Sequence, residues 1–124
     1  MVDLLRTYLR TLSTHLEGSI WAQYILDKDG LFIAQDLFDE QSSHIYEEMV
    51  TCAHLYVKNI LSQSQDLGMD TAYHWSFSMP TCDILIRRLE QNFFWAMILK
   101  KEACVGRTRY LMQLKTSDLC QILS

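Results

Sequence analysis

Three residues have the chemistry of a cation site: Asp27, Asp29 and Gly30, in the segment D-K-D-G between two apolar runs. A calcium loop of the EF-hand type begins D-x-D, but it needs a glycine at its sixth position and a glutamate at its twelfth. Counted from Asp27, the glycine comes at the fourth position and the twelfth position is Phe38. The spacing therefore argues against a calcium loop and favours a tight turn.

Histidine and cysteine side chains form a metal or catalytic site only where several of them, or other polar side chains, come close together in the fold. The four histidines fall in three different predicted elements, and none has a partner at the i, i+4 spacing of a helical zinc pair. The sequence has no C-x-x-C pair, G-x-S-x-G elbow, P-loop or G-x-G-x-x-G fingerprint. We therefore expect a protein that is not an enzyme, with no catalytic residues, no metal and no cofactor. The residues considered are His15, His44, His54, His74 and Cys52.

The composition is typical of one globular domain spanning residues 1–124. Hydrophobic residues make up 49% and charged residues 21%, with one proline and four glycines. A chain of this length buries about two-thirds of its unfolded surface, so its core needs no metal or disulfide. We expect the scattered cysteines to be small buried hydrophobes in a reducing compartment. They are Cys52, Cys82, Cys104 and Cys120.

The charge pattern argues against nucleic acid and membrane surfaces as partners. The formal net charge is −4, and the basic pairs Arg87-Arg88 and Lys100-Lys101 are interpreted as solvated strand ends. The N-terminal segment alternates charged and apolar residues, unlike the apolar region of a signal peptide. No apolar run approaches the ~18 residues needed to span a bilayer. We expect a cytoplasmic protein without direct membrane insertion.

Periodicity predicts a first helix and a hairpin. Apolar residues between Leu4 and Leu16 form one stripe at helical spacing, and Gly18 is placed to end that helix. Two short apolar runs then flank the D-K-D-G segment. This pattern predicts a β-hairpin whose turn contains Asp29 and Gly30, because Asp-Gly supplies the positive φ of tight turns.

The middle helix carries more apolar surface than one sheet face requires. Ser42 or Ser43 is expected to cap it, and its periodicity continues to about Gln63. A surface helix needs an apolar stripe only a little over 100° wide, whereas here about half the circumference is apolar. A second contact, with a partner chain, is the simplest explanation. The apolar positions are Ile45, Tyr46, Met49, Val50, Cys52, Ala53, Tyr56, Val57, Ile60 and Leu61.

Three strands and a helix complete the chain. Residues 71–79 alternate apolar and small or polar side chains up to Pro80, as at a sheet edge. Residues 82–89 form the next strand, and residues 93–99 are apolar on both faces, as in the middle of a covered sheet. A closing helix begins near Ala103. We therefore predict an α+β fold, α-β-β-α-β-β-β-α, with one antiparallel five-stranded sheet covered by helices on both faces.

Two segments of the chain resemble the Roadblock / dynein light chain family. L-E-G-S-I-W-A-Q-Y-I-L-D-K-D-G-L-F-I-A is similar to the family's opening, in which an Asp-Gly hairpin leads into G-L-x-I-A. L-I-R-R-L-E-Q-N-F-F-W-A-M-I-L-K-K-E-A-C-V-G-R-T-R-Y-L-M is similar to its last two strands and the opening of its final helix. In that opening the matching residues are Ala103, Val105, Gly106 and Arg109. The resemblance implies a profilin- and longin-like fold, with one helix on one sheet face and two on the other.

The resemblance also implies partners. Roadblock-like chains form homodimers or heterodimers by pairing their third strands edge to edge and packing their middle helices together. Members bind small Ras-like GTPases as activators, exchange scaffolds or polarity regulators in signalling, or act as dynein light chains. A structural adaptor and a PAS- or longin-like ligand sensor remain open as alternatives. The expected interface residues are Ile45, Met49, Cys52, Tyr56, Tyr73, Trp75 and Phe77.

Overall fold

The computed structural model describes residues 1–16, 18–38, 40–68 and 73–124. Its element order confirms the predicted α-β-β-α-β-β-β-α succession. The helix α2 continues three residues beyond the predicted end, α3 begins at Val105 rather than near Ala103, and residues 71–72 of the predicted third strand lie outside the described residues. The elements are α1 Val2–His15, β1 Ile20–Leu26, β2 Phe32–Leu37, α2 Ser43–Asp66, β3 His74–Ser78, β4 Cys82–Arg88, β5 Phe94–Lys100 and α3 Val105–Leu123.

The strands form one antiparallel sheet in the order β2-β1-β5-β4-β3. The strand with apolar residues on both faces, β5, lies in the middle, as predicted, and its residues 94–99 are all buried. The alternating strand β3 lies at one edge, also as predicted. The other edge is β2, which pairs with β1 through the short hairpin.

Helices cover both faces of the sheet, in the arrangement that the family resemblance implied. The period of two along β5 divides its side chains between the faces. On the first face α1 and α3 pack over Trp95, Met97 and Leu99. On the second face α2 packs over Phe94, Ala96 and Ile98.

A buried polar side chain fixes α1 on its face of the sheet. Gln23 in β1 is fully buried, and its amide nitrogen donates to the Leu9 carbonyl at 2.8 Å and to the Ser13 hydroxyl at 2.7 Å. Its amide oxygen accepts from the Trp95 indole N–H at 3.1 Å. Ser13 in turn donates to the Asp36 carboxylate at 2.5 Å. Because an unpaired buried amide is costly, this chain of bonds favours one register of α1 against β1 and β2.

The hairpin turn between β1 and β2 contains Asp29 and Gly30, but Asp27 organises it. The Asp27 carboxylate accepts hydrogen bonds from the backbone N–H groups of Asp29 at 2.9 Å and Leu31 at 3.0 Å. Its carbonyl accepts a third from the Gly30 N–H at 3.0 Å. Gly30 has a φ of +87°, in the left-handed region that favours glycine. The carboxylate of Asp27 therefore has a structural role in an Asx-type turn.

His54 of α2 lies directly against this turn. Its side chain is only 2% exposed, and its ring meets the Phe94 ring edge-on with centroids 4.8 Å apart. A Cβ atom added at Gly30 would lie 3.1 Å from the His54 Nδ1. Gly30 is therefore required both by its backbone conformation and by the close approach of the imidazole.

Replacing Gly30 by alanine is expected to destabilise the fold by two separable effects. A left-handed conformation costs a non-glycine residue about 1–2 kcal/mol, and the new methyl group also displaces His54. Gly68→Ala is the matched control, because Gly68 has a φ of +67° and nothing within 4 Å of an added Cβ. Urea unfolding should show a clearly larger loss for Gly30→Ala, and equal losses would contradict the role given to the His54 contact.

The stability of the protein should decrease on acidification because of His54. Burial lowers the pKa of His54 below 6.5, Lys58 adds to this, and Asp27 and Asp29 act in the opposite direction. Above pH ~6.5 the imidazole is neutral in both the folded and the unfolded protein. Between that pH and the lower pKa of the folded protein, the unfolded chain binds a proton that the folded protein does not. The free energy of unfolding should therefore fall as the pH drops below that value, by at most about 1.4 kcal/mol per pH unit for one group.

The contribution of His54 is measured against His54→Leu, which does not titrate at this position. Other groups titrate in both proteins, so the difference between the two urea-derived stability curves from about pH 7 to 5 isolates His54. The wild-type curve should fall more steeply. Parallel curves would show that His54 takes up its proton equally well in the folded state.

Candidate protein-interaction surface

The helix α2 exposes an apolar face away from the sheet. It buries only Val50, Ala53, His54 and Val57. Four large apolar or aromatic side chains of α2 that do not face the sheet are exposed to solvent. Exposed apolar patches of this kind mark contact sites. The four side chains are Ile45 at 59%, Leu55 at 60%, Tyr56 at 66% and Ile60 at 42% exposure.

A groove of about 310 Å³ continues this face between α2 and β3. The rings of Tyr56 and Phe77 approach across it with centroids 6.4 Å apart. Glu48 is the charged side chain at its rim, and the other lining residues are apolar or cysteine: Met49, Cys52, Ala53, Tyr56, Phe77, Met79 and Ile84. The groove is therefore suited to apolar side chains of a partner protein. We call the exposed α2 residues and this groove the α2 surface.

The edge strand β3 has backbone groups available for pairing. The Arg88 N–H donates to the Tyr73 carbonyl at 2.8 Å, and the Met79 N–H donates to the Cys82 carbonyl at 2.9 Å. Because pairing direction alternates along an antiparallel strand, the odd-numbered residues of β3 direct their backbone groups to β4. The even-numbered residues direct theirs to the free edge: His74, Ser76 and Ser78.

The predicted interface residues fall into three groups in the structure. Met49, Cys52, Tyr56 and Phe77 line the groove together. Ile45 lies near the start of α2, outside the groove. Trp75 is partly buried in the core under α2, and Tyr73 is 61% exposed with the Arg88 guanidinium 5.9 Å from its ring. Their contact with a partner stays a prediction.

Three exposed apolar residues of the α2 surface were not predicted as interface residues: Leu55, Ile60 and Met79. Met79 shares a strand face with Phe77, so the alternation of residues 71–79 could have indicated it. Ile60 belongs to the apolar half of the predicted helix. Leu55 follows the buried His54 and lies outside the predicted stripe, so periodicity gave no signal for it.

The residues of the family-motif helix start lie away from the α2 surface. The Ala103 N–H donates to the Lys100 carbonyl at 3.0 Å in the turn before α3, and Gly106 is exposed in the first turn of α3. Arg109 is also exposed, and its charge acts on His74 in β3. Burial first, and then Arg109 and Arg87, lower the pKa of His74 to about 4. This cluster lies on the α3 side of the sheet.

Two expectations about surface chemistry are corrected. The cysteines are not uniformly buried: Cys82 is buried, Cys52 and Cys104 are exposed, and Cys120 is intermediate, all as free thiols. Arg87 is not simply a solvated strand end, because its Nε donates to the Thr116 hydroxyl of α3 at 2.7 Å. Neither the exposure of each cysteine nor the partner of Arg87 follows from residue type, because both depend on where the tertiary structure places the side chain.

Within residues 1–16, 18–38, 40–68 and 73–124, no group of three or more histidine, cysteine, aspartate or glutamate side chains could hold a metal ion. No helix in these ranges combines the length and apolar character needed to cross a membrane. A cavity of about 450 Å³ beside β2 is lined by mixed side chains, among them Arg10, Trp21, Asp36 and Phe38. There the Asp36 carboxylate already bonds Ser13 and meets Arg10 at 3.4 Å. The α2 surface is therefore the candidate functional site.

No family model and no curated protein sequence matches this chain. Solved structures do match it. The Roadblock/LC7 domain from Streptomyces avermitilis is 15% identical with a TM-score of 0.73, covering 90% of this chain and 92% of that chain. MglC from Myxococcus xanthus is 17% identical with a TM-score of 0.69, covering 94% and 97%. An MglB with a tetrameric arrangement is 9% identical with a TM-score of 0.75, covering 96% and 88%.

These structures resemble this chain in overall fold, with TM-scores of 0.69 to 0.75. The sequence identities are low and the coverage is nearly complete in both directions. The chain therefore has the Roadblock/LC7 fold.

Proposed function

We propose that this protein is a non-enzymatic, cytoplasmic, single-domain Roadblock-type dimer that binds a small Ras-like GTPase and regulates or scaffolds it. The observation that carries the proposal is the α2 surface, an exposed apolar helix face that runs into an unblocked edge strand. Exposing this apolar surface to water is unfavourable for a monomer, whereas two chains can bury it against each other.

The geometry of β3 suggests how a second Roadblock-like chain pairs. The free-edge backbone groups of β3 are centred on Ser76, and no lysine or proline lies between His74 and Ser78 to block pairing. Antiparallel pairing about Ser76 joins two five-stranded sheets into one. The same symmetry brings two α2 helices side by side, so that Cys52 and Tyr56 lie near the contact.

Binding of a GTPase is proposed from the Roadblock resemblance together with the size of the α2 surface. Ile45, Leu55 and Ile60 are exposed but do not line the groove, so apolar area remains for a partner other than the second copy. A regulator of this kind acts in trans by positioning and by selecting a conformation of the GTPase. No arginine is assigned as a catalytic finger.

A structural adaptor is the second candidate. The same outer residues of α2 favour it, because apolar contact area alone is sufficient for a subunit that holds an assembly together. The two candidates differ in their response to nucleotide. A regulator distinguishes GTP- from GDP-bound partners or changes their rates, whereas an adaptor does neither.

Dimerisation is tested at Ser76. In Ser76→Pro the outward N–H is lost and the ring blocks the edge, while the bonds between β3 and β4 are made by the neighbouring residues. Ser76→Ala is the matched control, because it keeps the N–H. Sedimentation equilibrium should show a micromolar dimer for wild type and Ser76→Ala, and a dissociation constant raised at least about tenfold, or 1.4 kcal/mol, for Ser76→Pro.

A second pair of variants examines the helix side of the same contact. Tyr56→Glu places a charge on the α2 surface, and Tyr110→Glu places one at a tyrosine of similar exposure, 62% against 66%, on α3. Only Tyr56→Glu should weaken the dimer. A wild-type protein that stays monomeric at about 100 μM, or a fully dimeric Ser76→Pro, would refute the proposed dimer.

Binding to a GTPase is tested with purified Ras-like GTPases of the source cell, loaded with GDP or a non-hydrolysable GTP analogue. One of them should bind with a preference for one nucleotide and change its hydrolysis or exchange rate. Leu55→Glu should lower that affinity about tenfold or more by placing a charge in an apolar contact, which is the scale of a hot-spot loss. Leu114→Glu on α3 is the control, with 54% exposure against 60% at Leu55. Equal binding in both nucleotide states with unchanged rates would favour the adaptor.

A further inference from the structure

A cavity lined by basic side chains lies at one end of α2, separate from the apolar groove. It measures about 370 Å³ and is bounded by the β1–β2 turn, the C-terminal half of α2 and the β4–β5 connection. Lys28, Lys58 and Arg88 line it, and among the described residues that line it Asp29 is the acidic one. Three cations thus converge in a protein whose net charge is −4. We call this site the basic pocket.

Within the part of the chain that the structure describes, no ion pair involves Lys28, Lys58 or Arg88. The ion pairs there are made by Arg10, His44 and Lys101. Arg88 is held in place, because its Nη2 donates to the Asn92 side-chain oxygen at 2.7 Å. That bond positions the guanidinium without neutralising its charge. The pocket therefore presents a positive potential to an approaching anionic group.

The donors of the pocket suit spaced carboxylates better than a compact phosphate. Phosphate sites are commonly built from free backbone N–H groups at a turn or helix N-terminus. In the adjoining turn, the N–H groups of Asp29, Gly30 and Leu31 are all bonded to Asp27. The charged donors are the long side chains of Lys28, Lys58 and Arg88, which come from three separate parts of the chain, and the Asp29 carboxylate opposes a concentrated dianion.

We infer that the basic pocket binds the carboxylate side chains of an acidic segment on the partner protein. The inference rests on the proposed function, because the partner is the protein that contacts the α2 surface. Both sites include residues of α2: Lys58 and Leu61 line the pocket, and Leu55 and Ile60 are exposed on the α2 surface. Charges beside an apolar contact accelerate association and fix its orientation.

The inference is tested with the full-length protein and a blocked peptide of four Glu-Gly repeats, with four Gln-Gly repeats as the uncharged control. Titration followed by amide chemical shifts should move residues around Lys28, Lys58 and Asn92 with the Glu-Gly peptide only. Lys58→Gln should raise the dissociation constant roughly two- to fivefold, the range for one exposed ion pair. Arg107→Gln, which removes an exposed charge at the start of α3, should leave it unchanged.

Two further probes distinguish other anions. Inorganic phosphate that shifts the same amides at lower concentration than the peptide would overturn the inference in favour of a phosphate site. Anionic phosphatidylserine vesicles whose binding is lost in Lys58→Gln, with no peptide binding, would overturn it in favour of a lipid surface. A peptide affinity unaffected by Lys58→Gln would also overturn it.

The result of the peptide titration can be distinguished from the result of the GTPase-binding experiment. The peptide titration needs no GTPase, so acidic-peptide binding can be observed even where no GTPase binds. Leu55→Ser, which removes the same apolar contact without adding a charge beside Lys58, should keep peptide binding at the basic pocket within about twofold of wild type, since Leu55 does not line it. Loss of GTPase binding with intact peptide binding would therefore reject the proposed function alone.

Discussion

The fold depends on the double-sided burial of the central strand β5. Residues 94–99 have no exposed face, so the sheet must be covered by helices on both sides. Two helices, α1 and α3, divide one face, and Gln23 fixes α1 there through bonds to Leu9, Ser13 and Trp95. Among the described residues, α2 is the one helix that covers the other face.

The unequal covering explains where the candidate interaction surface lies. One helix is narrower than five strands, so α2 covers the middle of its sheet face and leaves the β3 side partly open. Phe77 is therefore only partly buried, and it lines the groove with Tyr56 and Met49. An exposed apolar groove at the sheet edge is a consequence of the helix count on that face, and a second chain is the simplest way to cover it.

The sequence predicted the features that depend on local pattern. Apolarity on both faces placed residues 93–99 in the middle of the sheet, and alternation placed β3 at its edge. The excess apolar width of the middle helix predicted a partner contact, and the structure shows that large apolar side chains of α2 are exposed. These signals are reliable because side-chain period and burial are directly linked.

Features that depend on tertiary proximity could not be predicted in this way. In the sequence, nothing distinguishes Gln23 from an ordinary polar residue. Only the tertiary structure shows that Trp95 and α1 lie beside it and bond its side chain. Lys28, Lys58 and Arg88 are about thirty residues apart in sequence, and only the meeting of a turn, a helix and a strand end brings them to one pocket. The same limit applies to Asp27, whose carboxylate was considered for metal chemistry and instead bonds the turn backbone.

The apolar groove and the basic pocket, which both include residues of α2, would contribute differently to binding. The groove reaches from Glu48 to Tyr56 along the helix, and the basic pocket begins at Lys58 and continues to Gln65. Between Cys52 and Leu61 the helix rises about 14 Å, so the groove and the basic pocket lie at different positions along α2. Apolar contact supplies affinity with little directionality, whereas separated charges favour one orientation. In the two proposals, α2 contacts a second chain at the groove and orients an acidic partner at the basic pocket.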